Sequence, residues 1–208
     1  TMLKAAQRGT IHLITVPVRH HGYPVPVPEV ILDRRHLLPS CSGKRDVSEA
    51  KTTFTLPKGF WVKLYDSLLE GNRVFIFVPR VWLVSVVEKA VSDQLKGGEV
   101  KEGDGLSRVV VLGIHSRDPK RDEKRLTFER KTQAVVVTTS VLERGITVPR
   151  ADVIVLYAHD PLYDARTLMQ MAGRSGRAAS YPQGKVYFIA GATTQAIQWT
   201  IENLEEIN

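Results

Sequence analysis

Short apolar runs that alternate with helical segments are the feature that most constrains how this chain can fold. The runs lie at residues 74–78, 109–114, 134–138, 153–157 and 186–190. They are apolar on both faces of the strand they would form, which is typical of parallel strands covered by helices on both sides. Because crossovers between parallel strands are right-handed, the pattern predicts an α/β fold, with a mostly parallel sheet between two layers of helices.

The helices between these runs are marked by periodicity and by capping residues. Apolar side chains recur one helical turn apart over residues 61–68 and 84–95, as they do on the buried face of a helix. Side-chain oxygens that accept a backbone N–H favour helix starts. The predicted capping residues are Asp118 (followed by Pro119), Asp164, and Thr193 or Thr194.

Residues 1–55 differ in character from the rest of the chain. A strand is predicted at 11–18, followed by prolines at positions 24, 26 and 28. Alternate prolines favour an extended backbone and exclude a central strand. Residues 34–51 are polar and are predicted to form a loop. We therefore expect 1–55 to be a connector or edge segment and 56–208 to be the α/β domain.

Charge and cysteine content narrow the class of protein. The net charge of +7 and the pI of about 9.6 favour polyanionic partners. Cys41 is the single cysteine, so an intramolecular disulfide is excluded and a reducing compartment is favoured. Cys41 and the histidines near it lack zinc-ligand spacing, so no metal site is predicted. No apolar run approaches 20 residues, so no membrane span is predicted, and residues 1–9 do not predict a signal peptide. The abrupt start predicts a piece of a longer protein.

Ligands of parallel α/β sheets bind beyond the carboxyl ends of the strands. This rule selects Arg80, the pair His115-Ser116, residues 139–145, and the segment after Tyr157. We expect the chemistry of the chain to gather at that edge of the sheet.

Two segments are rich in arginine and glycine. One includes residues 139–145, and the other spans residues 170–177 with the sequence QMAGRSGR. Arginine offers a planar fork of donors that matches phosphate oxygens. Arg174 and Arg177 are three residues apart, so a helix or tight turn can point both the same way. They could then neutralise a transferring phosphoryl group, as an arginine finger does. The alternative is that both arginines form solvated ion pairs.

These segments resemble motifs of the superfamily-2 helicases. Residues 74–79 resemble motif IV, 139–145 resemble motif V, and 170–177 are similar to motif VI. The resemblance covers about residues 57–192 and implies the second RecA-like motor domain of such an enzyme. Residues 138–149 and 18–28 further resemble the ComFA family, the cytoplasmic ATPases of bacterial competence for DNA uptake.

The resemblance implies three groups of roles. Arg174 and Arg177 would reach the terminal phosphates of ATP bound on the other motor domain. The residues that would sense the nucleotide, or couple its state to the DNA groove, are Gln170, Glu143, Arg144 and Gly145. The residues that would contact DNA phosphate are Thr139, with Ser116 and Arg80 as further candidates. Ser140 and Thr147 depart from the aspartates that are common in motif V, which puts a ribose contact in doubt.

The P-loop pattern Gly-x-x-x-x-Gly-Lys-Ser/Thr does not occur in these 208 residues. We therefore expect ATP and Mg²⁺ to bind mainly on a first motor domain outside this sequence, and this chain alone to be inactive. The implied partners are single-stranded DNA, that first RecA-like domain, ComFC and the membrane DNA-uptake channel. The implied location is the cytoplasm, including the inner face of the membrane. Two alternatives remain: a helicase of repair or replication restart, and a non-catalytic module that binds single-stranded DNA or protein.

Overall fold

The computed structural model describes residue 19 and residues 22–34, 55–97, 105–139 and 148–208. Six strands in these ranges form one sheet in the order β1-β6-β5-β2-β4-β3, and every neighbouring pair is parallel. The strands are β1 (Glu29–Leu32), β2 (Arg73–Phe77), β3 (Val110–Ile114), β4 (Ala134–Thr138), β5 (Ala151–Leu156) and β6 (Val186–Ala190). The α-helices are α1 (Lys58–Leu69), α2 (Val81–Gly97), α3 (Arg121–Arg130), α4 (Ala165–Ala172) and α5 (Gln195–Ile207), and a 3₁₀ turn spans Leu106–Arg108.

Alternate side chains of each central strand enter two different cores. Phe75 and Phe77 of β2 pack in one cluster with side chains of α3, α4 and α5. Val74 and Ile76 of the same strand pack in the other cluster, with side chains of α1 and α2. Because successive side chains of a strand point to opposite faces, both faces must be apolar. The predicted three-layer α/β fold is confirmed.

Local sequence signals located most element boundaries. β4 and β6 have the predicted bounds. The Asp164 carboxylate accepts the Thr167 N–H at 2.8 Å, and the Thr194 hydroxyl accepts the Ile197 N–H at 3.3 Å. Two of the predicted helix starts are therefore confirmed.

The prediction that Asp118 caps α3 is wrong. The helix begins at Arg121, and the Asp118 carboxylate instead accepts the Lys120 N–H at 2.9 Å and the Lys124 ammonium at 2.7 Å. The hydrogen bond from Lys124 is the main cause of the lowered pKa of Asp118. The Asp118 carboxylate, which was predicted to cap the helix, is thus used by the Lys120 N–H and by an ion pair with Lys124 six residues along the chain.

The segment 1–55 contributes an edge strand to this sheet, since β1 pairs with β6 alone in the described ranges. The strand predicted at 11–18 lies outside the described residues, and the division at residue 55 stays a prediction. None of the helices in the described ranges is both long and apolar enough to cross a membrane.

Because every strand points the same way, their carboxyl ends share one edge of the sheet, called here the carboxyl edge. Their amino ends share the opposite edge, called here the amino edge.

Candidate functional site

Three predicted phosphate-binding residues lie on neighbouring strand ends at the carboxyl edge. Arg80 follows β2, Thr139 follows β4 and Ser116 follows β3, and these strands are adjacent in the sheet. Ser116 is exposed, whereas Thr139 is only 7% exposed. The structure thus brings the three residues together but buries the threonine.

Arg80 is held at this edge by a buried carboxylate. Its guanidinium lies 3.4 Å from the carboxylate of Asp160, which follows β5. The Asp160 carboxylate also accepts the Leu162 N–H at 2.9 Å. Since the Arg80 side chain remains 42% exposed, it is oriented without being removed from solvent. With exposed Arg117 and Lys120 beside Ser116, the edge offers cations to a polyanion.

The motif with two arginines lies at the other edge of the sheet. α4 starts after the carboxyl end of β5 and runs back across the sheet, so it ends at the amino edge. A side chain on Gly184 would collide with Ser175 Oγ and Gly176 N, and would lie 3.1 Å from the carbonyl oxygen of Ala151, the first residue of β5. The expectation that all the chemistry gathers at the carboxyl edge is therefore wrong, because the helix carries the motif away from it.

Residues 173–177, called here the arginine loop, are organised by backbone carbonyls. Arg177 donates its Nε–H to the carbonyl oxygen of Gly173 at 2.9 Å. Arg19 donates to the same oxygen at 3.1 Å, and to the Ser175 carbonyl oxygen at 2.5 Å. Gly176 has φ of 65°, and a Cβ there would collide with the carbonyl oxygen of Pro182 and lie 3.1 Å from Arg19 Nη1. Glycine is therefore required both by the turn and by the close approach of the Pro182 backbone.

The arginine loop concentrates positive charge in a partly buried place. Arg174 is only 6% exposed. Burial lowers the pKa of Arg177, and burial followed by the charge of Arg177 lowers the pKa of Arg19 to about 10. Both groups still carry a proton at neutral pH. Within the described ranges, no carboxylate forms a salt bridge with Arg19 or Arg177. An anion is the ligand that this arrangement favours.

A buried polar network attaches the chain after the arginine loop to the sheet. The fully buried Asp152 carboxylate accepts from Asn72 Nδ2 at 2.9 Å, from the Tyr181 hydroxyl at 3.1 Å and from the Lys185 N–H at 2.8 Å. Burial and then the Asp152 charge raise the pKa of Tyr181, so its phenol stays protonated and donates. The network fixes where the loop leaves the amino edge.

The remaining predicted residues are distributed as follows. Gln170 lies on the exposed face of α4, in a groove lined by Ala165, Arg166, Met169 and Asn203. Glu143, Arg144 and Gly145 lie outside the described residues, as do Ser140 and Thr147. Their segment joins Thr139 at the carboxyl edge to Val148 near the amino edge, so it connects the two candidate surfaces.

No group of side chains that could hold a metal ion occurs in the described part of the chain. The cysteine and histidines considered from the sequence, Cys41, His20, His21 and His36, lie outside that part.

Sequence reasoning missed Arg19 and the network around Asp152. Arg19 lies in the segment 18–28 that resembles the ComFA family, but it precedes the arginine loop by more than 150 residues, and nothing in the resemblance assigned it a contact there. Asp152 did carry a signal, because a carboxylate inside an apolar strand must find buried donors.

Comparison with known proteins identifies the family. The model of the helicase conserved C-terminal domain matches residues 60–179. Competence protein ComFA of Bacillus subtilis is 29% identical over 206 residues, which is 99% of this chain and 39% of that protein. ComFA of Streptococcus pneumoniae is 27% identical over 165 residues, 74% of this chain and 37% of that protein.

The DNA helicase RecG is also similar to this chain. The ATP-dependent DNA helicase RecG of Staphylococcus aureus is 29% identical over 177 residues, 77% of this chain and 25% of that protein. A solved structure of RecG bound to a three-way DNA junction matches with a TM-score of 0.48 and 18% identity, over 73% of this chain and 21% of that one. The chain therefore spans well under half the length of these relatives.

Proposed function

The chain belongs to the helicase conserved C-terminal domain family, and from this premise we propose that it is the motor half of an ATP-dependent DNA translocase that drives single-stranded DNA uptake in bacterial competence. The observation that carries the proposal is the arginine loop. Arg177, together with Arg19 bound to the same loop, is partly buried and forms no salt bridge with a carboxylate in the described ranges. Helicases hydrolyse ATP, and a partly buried positive charge can stabilise the phosphoryl group that is transferred.

The loop's chemistry fits the terminal phosphates of ATP. Among described residues, the one contact of Arg177 uses its Nε–H on the Gly173 carbonyl. Its two Nη groups can therefore donate to phosphate oxygens from a fixed position. Negative charge on a transferring phosphoryl group is stabilised by such preorganised donors. We propose that ATP and Mg²⁺ bind mainly on a P-loop domain, and that Arg174 and Arg177 complete that site, with Gln170 beside them on α4.

The opposite edge supplies the DNA surface in this proposal. Arg80 and Ser116 would contact phosphates and not base edges, which holds a strand without reading its sequence. The segment that carries Glu143, Arg144 and Gly145 runs from Thr139 at the DNA edge towards Val148 at the nucleotide edge. Through this segment, the binding or hydrolysis of ATP would change the affinity of the carboxyl edge for DNA.

Competence is preferred to repair because of the extent of the similarity. The ComFA relative matches 99% of this chain, whereas the RecG relative matches 77%. A repair or replication-restart helicase is the second candidate, and the RecG similarity favours it. For the competence role, the proposed partners are ComFC and the DNA-uptake channel, and the proposed location is the inner face of the membrane.

The test is ATP hydrolysis stimulated by single-stranded DNA, in the protein that joins this chain to the P-loop domain. We expect Arg174→Ala and Arg177→Ala to lower kcat by a factor on the order of a thousand. Arg130→Ala, at the exposed end of α3, is the control that should keep full activity. The 208-residue chain alone should be silent. Full activity in both loop variants would refute the proposal and favour a binding module.

A genetic comparison separates the two candidate pathways. In a strain carrying Arg177→Ala, we expect transformation by added DNA to fall while survival after DNA damage stays unchanged. The reverse result would assign the chain to repair.

A further inference from the structure

Arg19 reaches the arginine loop from a distant part of the sequence. It lies 154 residues before Gly173 and 156 before Ser175, yet its guanidinium donates to both of their carbonyl oxygens. These contacts are with the backbone, so they fix the path of the chain and not one side chain. Arg19 also comes before β1, in the segment that leads into the sheet.

The two carbonyls lie on either side of Arg174, before the turn at Gly176 that leads to Arg177. One bound carbonyl belongs to the peptide group that joins Gly173 to Arg174, and the other to the peptide group that joins Ser175 to Gly176, so Arg19 holds the backbone on both sides of Arg174. Gly176 then takes a positive φ, which turns the chain towards Arg177. A planar guanidinium is the side chain best suited to holding two oxygens in one fixed relation.

We infer that Arg19 is a positioning residue for phosphoryl transfer: it holds the backbone of the arginine loop so that Arg174 and Arg177 face the terminal phosphates together. This inference rests on the proposed function. If it is right, the segment that precedes β1 contributes to the nucleotide site through Arg19.

The repulsion between Arg19 and Arg177 is relieved when a phosphate group is present. Arg19 and Arg177 are like charges that share one carbonyl oxygen, and Arg177 contributes to the lowered pKa of Arg19. A phosphate group on Arg177 would offset this repulsion, and the offset is larger in a partly buried site than in water. The offset grows as negative charge develops on the transferring phosphoryl group, so the contacts of Arg19 with the loop are most favourable in the transition state.

The experiment uses the DNA-stimulated ATPase of the protein that contains both motor domains. We expect Arg19→Ala to lower kcat between tenfold and a hundredfold, the order of loss that follows from a small misplacement of catalytic groups. The KM for ATP should stay within about twofold, because positioning of this kind acts in the transition state. Arg19→Lys keeps the charge but loses the fork, so it should restore only part of the rate. Arg34→Ala, an exposed arginine of the same segment, should match the wild type.

The outcomes distinguish the role of Arg19 from the proposed function of the chain. Full kcat in Arg19→Ala with loss in Arg177→Ala overturns the role of Arg19 and leaves the proposed function standing. Full kcat in both Arg174→Ala and Arg177→Ala refutes the proposed function itself. If circular dichroism shows Arg19→Ala unfolded, Arg19→Lys decides: a folded lysine variant with a reduced kcat supports the inference, and one with the full kcat overturns it.

Discussion

Arg19 and Arg177 donate to the same backbone oxygen, the carbonyl of Gly173, at 3.1 and 2.9 Å. Two guanidiniums on one acceptor, with no carboxylate bridge among the described residues, leave positive charge for a ligand to neutralise.

Pyrophosphate should stabilise the isolated 208-residue chain, because an anion that binds only the folded state adds to its stability. A ligand at about a hundred times its dissociation constant adds about 2.7 kcal/mol. We expect a rise of several degrees in Tm, and its loss in Arg177→Ala. Arg34→Ala should keep the rise. An equal rise in all three proteins would indicate a general salt effect and not a site.

Replacing Asp152 should destabilise the fold. Asp152→Ala leaves Asn72, the Tyr181 hydroxyl and the Lys185 N–H without their shared acceptor. Buried donors left unsatisfied cost about 1–3 kcal/mol, so we expect the free energy of unfolding in urea to fall by about 2–3 kcal/mol. The exposed Asp93→Ala in α2 should change it by less than about 0.5 kcal/mol. A similar small change in Asp152→Ala would contradict the network's importance.

Adding one methyl group at Gly184 should displace the arginine loop. The new Cβ would collide with Ser175 Oγ and with the Gly176 nitrogen, a backbone atom that cannot rotate away. We expect Gly184→Ala to cost about 1–3 kcal/mol in thermal or urea unfolding, and to lower kcat in the complete motor. Gly97→Ala is the matched control, since nothing lies within 4 Å of its Cβ position. Unfolding of both variants like the wild type would show that a methyl group at Gly184 does not displace the loop.

Charge removal at the carboxyl edge should weaken DNA binding without changing its sequence preference. We expect Arg80→Gln to reduce the slope of log affinity against log salt by about one unit, the effect of one lost phosphate contact. Titrations of labelled single-stranded DNA at several salt concentrations give this slope. Arg130→Gln removes the same charge at the end of α3, near the amino edge, and should leave the slope unchanged. Equal effects of the two variants would exclude a DNA path at the carboxyl edge.

Much of the fold was predictable because its determinants are local. The bounds of β4 and β6 could be predicted from their own apolar residues, because the side chains on both faces of these strands enter a core. Asp164 and Thr194 cap helices through N–H groups three residues away. Asp118 failed as a cap because its carboxylate binds the Lys124 ammonium in the folded chain.

The sequence by itself determined the order of strands and helices, the two-sided burial of the sheet, and the presence of the arginine motif. Only the tertiary structure decided that Arg174 and Arg177 lie at the edge opposite Arg80, Thr139 and Ser116, and that Arg19 joins them. The physical reason is that a helix following a parallel strand runs back across the sheet, so its end lies at the amino edge. Contacts between residues more than 150 positions apart leave no periodic pattern in the sequence, because they form only when the rest of the chain has folded and placed the two segments side by side.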